Sequence, residues 1–199
     1  MLDAKILAQY SGLIFDMDGT VVDTMPCHER AWLKVAETVG YPLSPSVMYE
    51  LAGAPLCTIA VEMMQRANMP LTQLQEVMTL KRQFGHAFIM AEATLLPAAE
   101  IVKTYHHKKP MALGTGSHRE ITHKLLNKLA IAHCFGAVVT SEDVTQHKPA
   151  PDTFLRCAEL IGVNPHTCLV FEDADLGVQA GLAAGMHVFD VRTHQLHKG

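Results

Sequence analysis

The sequence predicts an α/β protein in which a doubly wound parallel sheet is interrupted once by an all-helical insert. Three observations carry that expectation. Short apolar runs end in residues capable of chemistry, amphipathic helical segments separate those runs over the C-terminal half, and residues 26 to 93 hold helical spacing with no convincing strand. Short buried strands that alternate with amphipathic helices form parallel sheets covered on both faces. A chain of 199 residues can bury a substantial interior, as one domain or as a core with a smaller insert.

The first apolar run, Leu13-Ile14-Phe15, stops at Asp16-Met17-Asp18-Gly19-Thr20. Alternate side chains of an extended chain share a face, so Asp16 and Asp18 project together, about 6 to 7 Å apart along the backbone. Two carboxylates repel by about 4 kcal/mol at 4 Å and an effective dielectric near 20, which makes a divalent cation the natural third party. Taken alone, the same residues are an acidic turn after a strand.

The insert follows. Its first helix is expected over 26–39, with Ala31, Trp32, Val35 and Val39 near one face and Gly40 as its stop. Helices over 46–52 and 55–67 each have a proline near their start, and Asn68-Met69-Pro70 closes the second. A fourth spans 72–93, with Leu74, Val77, Met78 and Leu80 as its apolar side. From Leu96-Pro97 onward the signals alternate: helix 98–106, strand 111–113, helix 118–129, strand 137–139, helix 152–161, strand 168–171, helix 176–184 and strand 187–189. This is a Rossmann-like order, in which ligands bind beyond the carboxyl ends of the strands.

The residues after each run therefore matter most. Gly114-Thr115-Gly116-Ser117 offers hydroxyls, backbone N–H groups and a helix start suited to a phosphate, although by itself it reads better as a glycine turn with an N-cap serine. After the third run comes His147-Lys148-Pro149-Ala150-Pro151-Asp152, with a lysine held between loop and proline. After the fourth stand Glu172-Asp173-Ala174-Asp175. Each has a plain alternative, a solvated lysine in one case and acids favoured by a helix dipole in the other. Four such signals in chain order at one sheet edge make coincidence the weaker explanation.

Composition narrows the partners. A net charge of −4 gives no electrostatic reason to expect nucleic acid or an anionic membrane. No basic stretch followed by a long apolar run marks a signal peptide at the start, and no stretch reaches about 18 uninterrupted apolar residues. Cysteines 27, 57, 134, 157 and 168 are odd in number, lack CxxC spacing and sit mostly in apolar or helical patterns, which suits reduced packing residues of a cytoplasmic protein.

The set Asp16-Met17-Asp18-Gly19-Thr20, Thr115-Gly116-Ser117, Lys148-Pro149 and Glu172-Asp173 resembles the four motifs of the haloacid dehalogenase-like phosphatase superfamily, over nearly the whole chain. The insert looks like that superfamily's helical cap, which implies a core of 1–25 and 96–199 and a cap of 26–95. Asp23-Thr24 with His28, and the run from His147 to Asp152, look like the β-phosphoglucomutase branch, and the whole chain most resembles its bacterial sugar phosphatases acting on fructose-1-phosphate. The resemblance implies Asp16 as nucleophile, Asp18 as acid and base, and Mg2+ held by Asp16, the Asp18 carbonyl and Asp173, with Glu172 a direct or outer ligand. It further implies Lys148 as charge neutraliser of Asp16 and phosphate, and Thr115 with the Gly116 N–H as phosphate holders. A carboxylate at Asp18 points to phosphatase or phosphomutase, since the family's ion pumps carry threonine there and its dehalogenases lack the acid.

Hydrolysis and mutase chemistry separate in the cap. The mutases place an arginine shortly after a cap glycine, whereas Gly53-Ala54-Pro55-Leu56 puts leucine there, and leucine cannot replace a bidentate guanidinium on a phosphate. A small sugar phosphate is thus the expected substrate of a monomer, with phosphomutase activity or a catalytically silent binding protein as the alternatives. His28 sits at the entry to the cap and could gate or contact substrate, while Ser117, His118 and Arg119 could meet a sugar. Lys81-Arg82 reads as a solvent-facing basic pair, and His106-His107 as surface without metal-ligand spacing.

Overall fold

A computed structural model describes residues 3–198. Residues 1, 2 and 199, at the outer limits of the expected core, lie outside the described residues. Helix α1 (Ala4–Leu7), started by the Asp3 carboxylate accepting from the Lys5 N–H at 2.9 Å, leads into β1 (Gly12–Phe15). The ribbon strand β2 (Val22–Asp23) precedes four helices, α2 (Met25–Val39), α3 (Ser46–Glu50), α4 (Leu56–Arg66) and α5 (Leu74–Glu92). Strand β3 (Thr94–Leu95) brings the chain back. Then come α6 (Ala98–Tyr105), β4 (Met111–Gly114), α7 (Arg119–Lys128), β5 (Ala137–Val139), α8 (Asp152–Leu160), β6 (Cys168–Glu172), α9 (Asp175–Ala183), β7 (His187–Asp190) and β8 (Gln195–His197).

Every residue of β1 is buried. Side chains alternate across a strand, so a wholly apolar strand needs cover on both faces. Leu13 and Phe15 join one cluster with Met111, Leu113, Leu169 and Phe171, while Ile14 joins the opposite one with Ala112, Val139, Val170 and Val188. The main sheet runs β5-β4-β1-β6-β7-β8, all parallel except the last pair. From β1 the chain winds outward to β4 and β5, then crosses to β6 and β7 on the other side. The winding direction therefore reverses at β1, and the crevice beyond its carboxyl end is where such sheets bind ligands. Phe15 pairs with both Leu113 and Phe171, so the next residues, Asp16, Gly114 and Glu172, emerge together.

The helical insert has its own apolar interior, built on Trp32, Val35, Met63, Met64 and Val77. Proline in the first turn of α2 costs no hydrogen bond, and Gly40 ends the helix in the left-handed region at φ 72°. Entry and exit of the insert are tied by antiparallel pairing of Val22 with Leu95 and Asp23 with Thr94. The sequence signals missed β2, β3 and β8, because Val22-Asp23, Thr94-Leu95 and Gln195-Leu196-His197 hold no wholly apolar run and are defined only by a partner elsewhere in the chain. The fourth insert helix starts two residues later than expected, after a single 3-10 turn over Leu71–Gln73. Four cysteines are buried as expected, and Cys57 is exposed. No helix among the described residues is long and apolar enough to cross a membrane.

Phe171 is fully buried, with its ring stacked on Phe15 at 4.6 Å and edge-on to Phe189 at 5.8 Å. Phe171→Ala should therefore lower unfolding free energy by about 3 to 5 kcal/mol in urea titration, whereas Leu33→Ala, on the exposed face of α2, should change it by less than about 0.5 kcal/mol. Equal effects would contradict the packing described.

Candidate active site

The crevice at β1 opens on Asp16, whose backbone N–H extends the sheet by donating to the Phe171 carbonyl at 3.0 Å. Its carboxyl group is almost wholly buried, and a buried carboxylate is tolerated only when paired. Lys148 supplies the pair. Its Nζ donates to Asp16 Oδ1 at 2.6 Å and to Glu172 Oε1 at 2.9 Å, and lies 4.7 Å from the centre of the Phe154 ring. Glu172 is held in turn, since Oε2 accepts from the backbone N–H groups of Asp173 at 2.6 Å and Ala174 at 3.2 Å. A Cβ on Gly177 would stand 1.5 Å from Glu172 Oε1, so only glycine leaves room for this carboxylate. Asp173 Oδ1 accepts from the Thr20 hydroxyl at 3.0 Å. Gly19, at φ +86°, would place a Cβ 2.1 Å from Asp173 Oδ2, so its turn needs glycine for both conformation and space.

Negative charge exceeds positive charge here. Burial, then Glu172, push the Asp16 carboxyl well above the usual range against the pull of Lys148. The same two causes push Asp173 up to about 7. Burial opposes the charge on Lys148, but Asp16 and Glu172 outweigh it and raise its pKa above the ordinary value. Oxygens of Asp16, Glu172 and Asp173 lie within 4.8 Å of one another. An all-oxygen, carboxylate-rich set short of positive charge fits a hard divalent cation.

Asp18 emerges from the same strand end but into a different environment. Its Oδ1 accepts from Thr24 Oγ1 at 2.6 Å, and its Oδ2 from Ser117 Oγ at 2.7 Å and Thr115 Oγ1 at 3.1 Å. His28 Nε2 stands 3.5 Å from Oδ1. Burial works against ionisation of Asp18, yet His28, Thr24 and Ser117 more than offset it and hold the carboxyl well below its ordinary range. On its far side His28 Nδ1 accepts from Lys81 Nζ at 2.9 Å, which leaves the ring proton on Nε2, facing Asp18. Burial, then the Lys81 charge, lower the pKa of His28. Burial pushes Lys81 down to about 8.

These groups line a cavity of about 430 Å³ between the sheet edge and the helical insert. Of the residues expected there, Asp16, Asp18, His28, Gly116, Ser117, His118, Glu172 and Asp173 line it. Thr115 and Lys148 stand directly behind, in contact with Asp18 and Asp16. His118 is also tied to Glu142 at 3.1 Å. Arg119 is directed elsewhere: its guanidinium binds Asp143 at 2.6 Å and its N–H donates to Glu142 at 2.9 Å, outside the cavity wall.

The expectation that Lys81-Arg82 faces solvent is corrected for Lys81, which is only 5% exposed, while Arg82 stands exposed at the cavity rim. The signal was present in the sequence. Val77, Lys81, Gly85 and Ile89 form one buried row four residues apart on α5, and a Cβ on Gly85 would lie 3.2 Å from Lys81 Nζ. Also missed was Trp32, over whose ring Lys81 Nζ sits at 5.6 Å; the loop at Gly53, singled out in the sequence for the leucine that follows, has its carbonyl 3.5 Å from where a Gly116 Cβ would stand. Leu56, at the position aligned with the mutase arginine, lines the cavity.

The chain is similar to known proteins over most of its length. An uncharacterized protein of Haemophilus influenzae is 57% identical over 98% of each chain. The fructose-1-phosphate phosphatase YqaB of Escherichia coli is 44% identical, over 92% of this chain and 97% of that one. The crystal structure of a β-phosphoglucomutase from Clostridium difficile superposes with a TM-score of 0.80 at 25% identity, over 91% of this chain and 84% of that one. Residues 10–185, which run from the start of the main sheet past the end of α9, match the family described as haloacid dehalogenase-like hydrolase, and to that family the chain belongs.

Proposed function

We propose that this chain hydrolyses small sugar monophosphates, fructose-1-phosphate among them, through an aspartyl-phosphate on Asp16 and with magnesium as cofactor. One observation carries the reading. Asp16 lies on the wall of the cavity with Oδ1 engaged by Lys148, and Asp18, two residues on, is oriented separately by Thr24, Thr115 and Ser117. The likeness to the Escherichia coli fructose-1-phosphate phosphatase supports the choice of sugar.

In the first half-reaction a carboxylate oxygen of Asp16 bonds to phosphorus as the phosphorus–sugar oxygen bond breaks, and Asp18 gives its proton to the departing sugar oxygen. In the second, water attacks phosphorus, Asp18 takes the water proton, and Asp16 is restored as phosphate leaves. The hydrogen bonds on Asp18 favour its carboxylate, the form needed for the second half. A phosphate dianion arriving beside it raises its pKa toward the acid needed for the first. Lys148 neutralises Asp16, while the Thr115 hydroxyl and the Gly116 N–H hold phosphoryl oxygens. Asp16, Asp173 and the backbone carbonyl of Asp18 would hold magnesium, which would supply charge to offset the carboxylates and the phosphoryl group. Glu172, whose oxygens orient Lys148 and the turn at Asp173, belongs to the same carboxylate set and would serve as a direct or outer ligand.

The mutase alternative loses support from the cap wall. Leu56, at the position aligned with the mutase arginine, lines the cavity beside Ala54 and Ile59 and cannot hold a phosphate as a guanidinium does, although Arg82 stands elsewhere on the rim. Residues of both core and insert line the cavity.

A phosphate-release screen over sugar monophosphates with magnesium tests the reading. Turnover should require magnesium, vanish with chelator and fall at least about 10⁴-fold in Asp16→Asn, as expected when a nucleophile is removed. Unimpaired turnover in Asp16→Asn, or glucose-6-phosphate accumulating from β-glucose-1-phosphate with a bisphosphate primer and little free phosphate, would overturn it. Lys81 carries charge below about pH 8 and loses it above, so kcat/KM should decline as pH rises through that value. Lys81→Met should lower kcat/KM by roughly 10- to 100-fold at neutral pH, the usual cost of losing a group that orients a functional side chain, and should lack the alkaline limb. An unchanged pH profile in Lys81→Met would contradict this role.

A further inference from the structure

We propose that His106, His133 and Cys134 form a binding site for a borderline transition-metal cation of the zinc class, at the end of the sheet opposite the carboxylates. The turn after α6 carries His106 toward the start of β4, and the turn after α7 carries His133 and Cys134 toward the start of β5. Both segments precede their strands, whereas Asp16, Thr115 and Glu172 stand at strand carboxyl ends. The two sites therefore share no residue.

One donor atom from each of the three lies within 4.8 Å of the others. Donors bound to zinc at about 2.0 to 2.3 Å with tetrahedral angles stand roughly 3.3 to 3.8 Å apart. Cys134 Sγ and His133 Nε2 are already 3.6 Å apart. The remaining pairs need to close by about 1.5 Å at most, within reach of rotations of two imidazole rings. The rings are pre-gathered: His106 lies edge-on to His133 at 5.0 Å and tilted over His107 at 3.6 Å. His107 itself sits at φ 67°, in a turn where the Tyr105 carbonyl accepts the N–H groups of Lys108 at 2.8 Å and Lys109 at 3.1 Å.

The chemistry suits a nitrogen- and sulfur-preferring ion more than magnesium, which takes oxygen ligands. Partial desolvation, then His107 and His133, hold the pKa of His106 below its ordinary value, and a neutral imidazole is the form that ligates. Burial raises the Cys134 thiol above its ordinary pKa, so binding displaces that proton to solvent as the thiolate–metal bond forms. His133 is exposed, so water would complete the coordination of a bound ion. The bound ion would add a clamp between two segments already linked where the Gly136 N–H donates to the Met111 carbonyl at 2.8 Å.

Cobalt(II) tests the site spectroscopically. The full chain, stripped with chelator and kept in excess magnesium, should develop visible d–d bands and a near-ultraviolet thiolate-to-cobalt charge-transfer band that zinc abolishes. The charge-transfer band should be lost in Cys134→Ser and in His133→Ala, an exposed position that leaves the fold intact, and kept in Cys57→Ser. Phosphate release by His133→Ala should match the parent chain. Absence of the band from the parent chain, its survival in either of the first two variants, or its dependence on Cys57 would overturn the proposal.

Discussion

A single amine between two buried carboxylates is the constraint on which the site depends. Lys148 touches Asp16 and Glu172 at a sheet edge where Asp18 and Asp173 add two further acids. Removing one partner of a buried ion pair typically costs about 3 to 5 kcal/mol, so Lys148 cannot be regarded as decoration. Nor does the triple optimise stability, because apolar residues of similar volume often do as well or better. Its geometry is nonetheless enforced from several directions. Gly177 makes room for Glu172, Gly19 makes room for Asp173, and the pairing of Phe15 with Phe171 fixes where Asp16 leaves the sheet. Excess negative charge so constrained favours a cation and a phosphoryl group together over either alone.

The helical insert completes the site instead of merely covering it. Lys81 on α5 reaches His28 on α2, and His28 reaches Asp18 on the core, so a chain of three ionisable side chains crosses from insert to sheet. Both ends of the insert are fixed in the two-stranded ribbon of β2 and β3, immediately after the loop that carries Asp16 and Asp18. A shift of the insert would therefore move Lys81 and His28 away from Asp18 while leaving Lys148 on Asp16. Against the effect of burial, His28 from the insert is the leading group that holds the Asp18 carboxyl below its ordinary range.

Much of this architecture was legible because it rests on local pattern. The apolar runs at Leu13, Met111, Ala137, Cys168 and His187 and the helices between them follow from periodicity, and the four loops follow from their position after those runs. What escaped depends on contacts between distant residues. Two-residue strands exist only through their partners, and Arg119 is drawn to Asp143 by a helix-start arrangement that no spacing reveals. Lys81 looked like half of a solvated basic pair, although its place in the row Val77, Gly85, Ile89 marked it as buried. His106 and the pair His133-Cys134 are 27 residues apart or more and meet only in the fold, so inspection of adjacent spacing could not find them.

The central claim, that phosphorus passes through Asp16 before water receives it, is tested most directly by stereochemistry. A sugar thiophosphate made chiral by oxygen isotopes, hydrolysed by this chain in isotopically labelled water, reports the number of in-line displacements. Two displacements, onto Asp16 and then onto water, predict net retention at phosphorus. Net inversion would mean a single direct attack by water and would contradict the role assigned to Asp16.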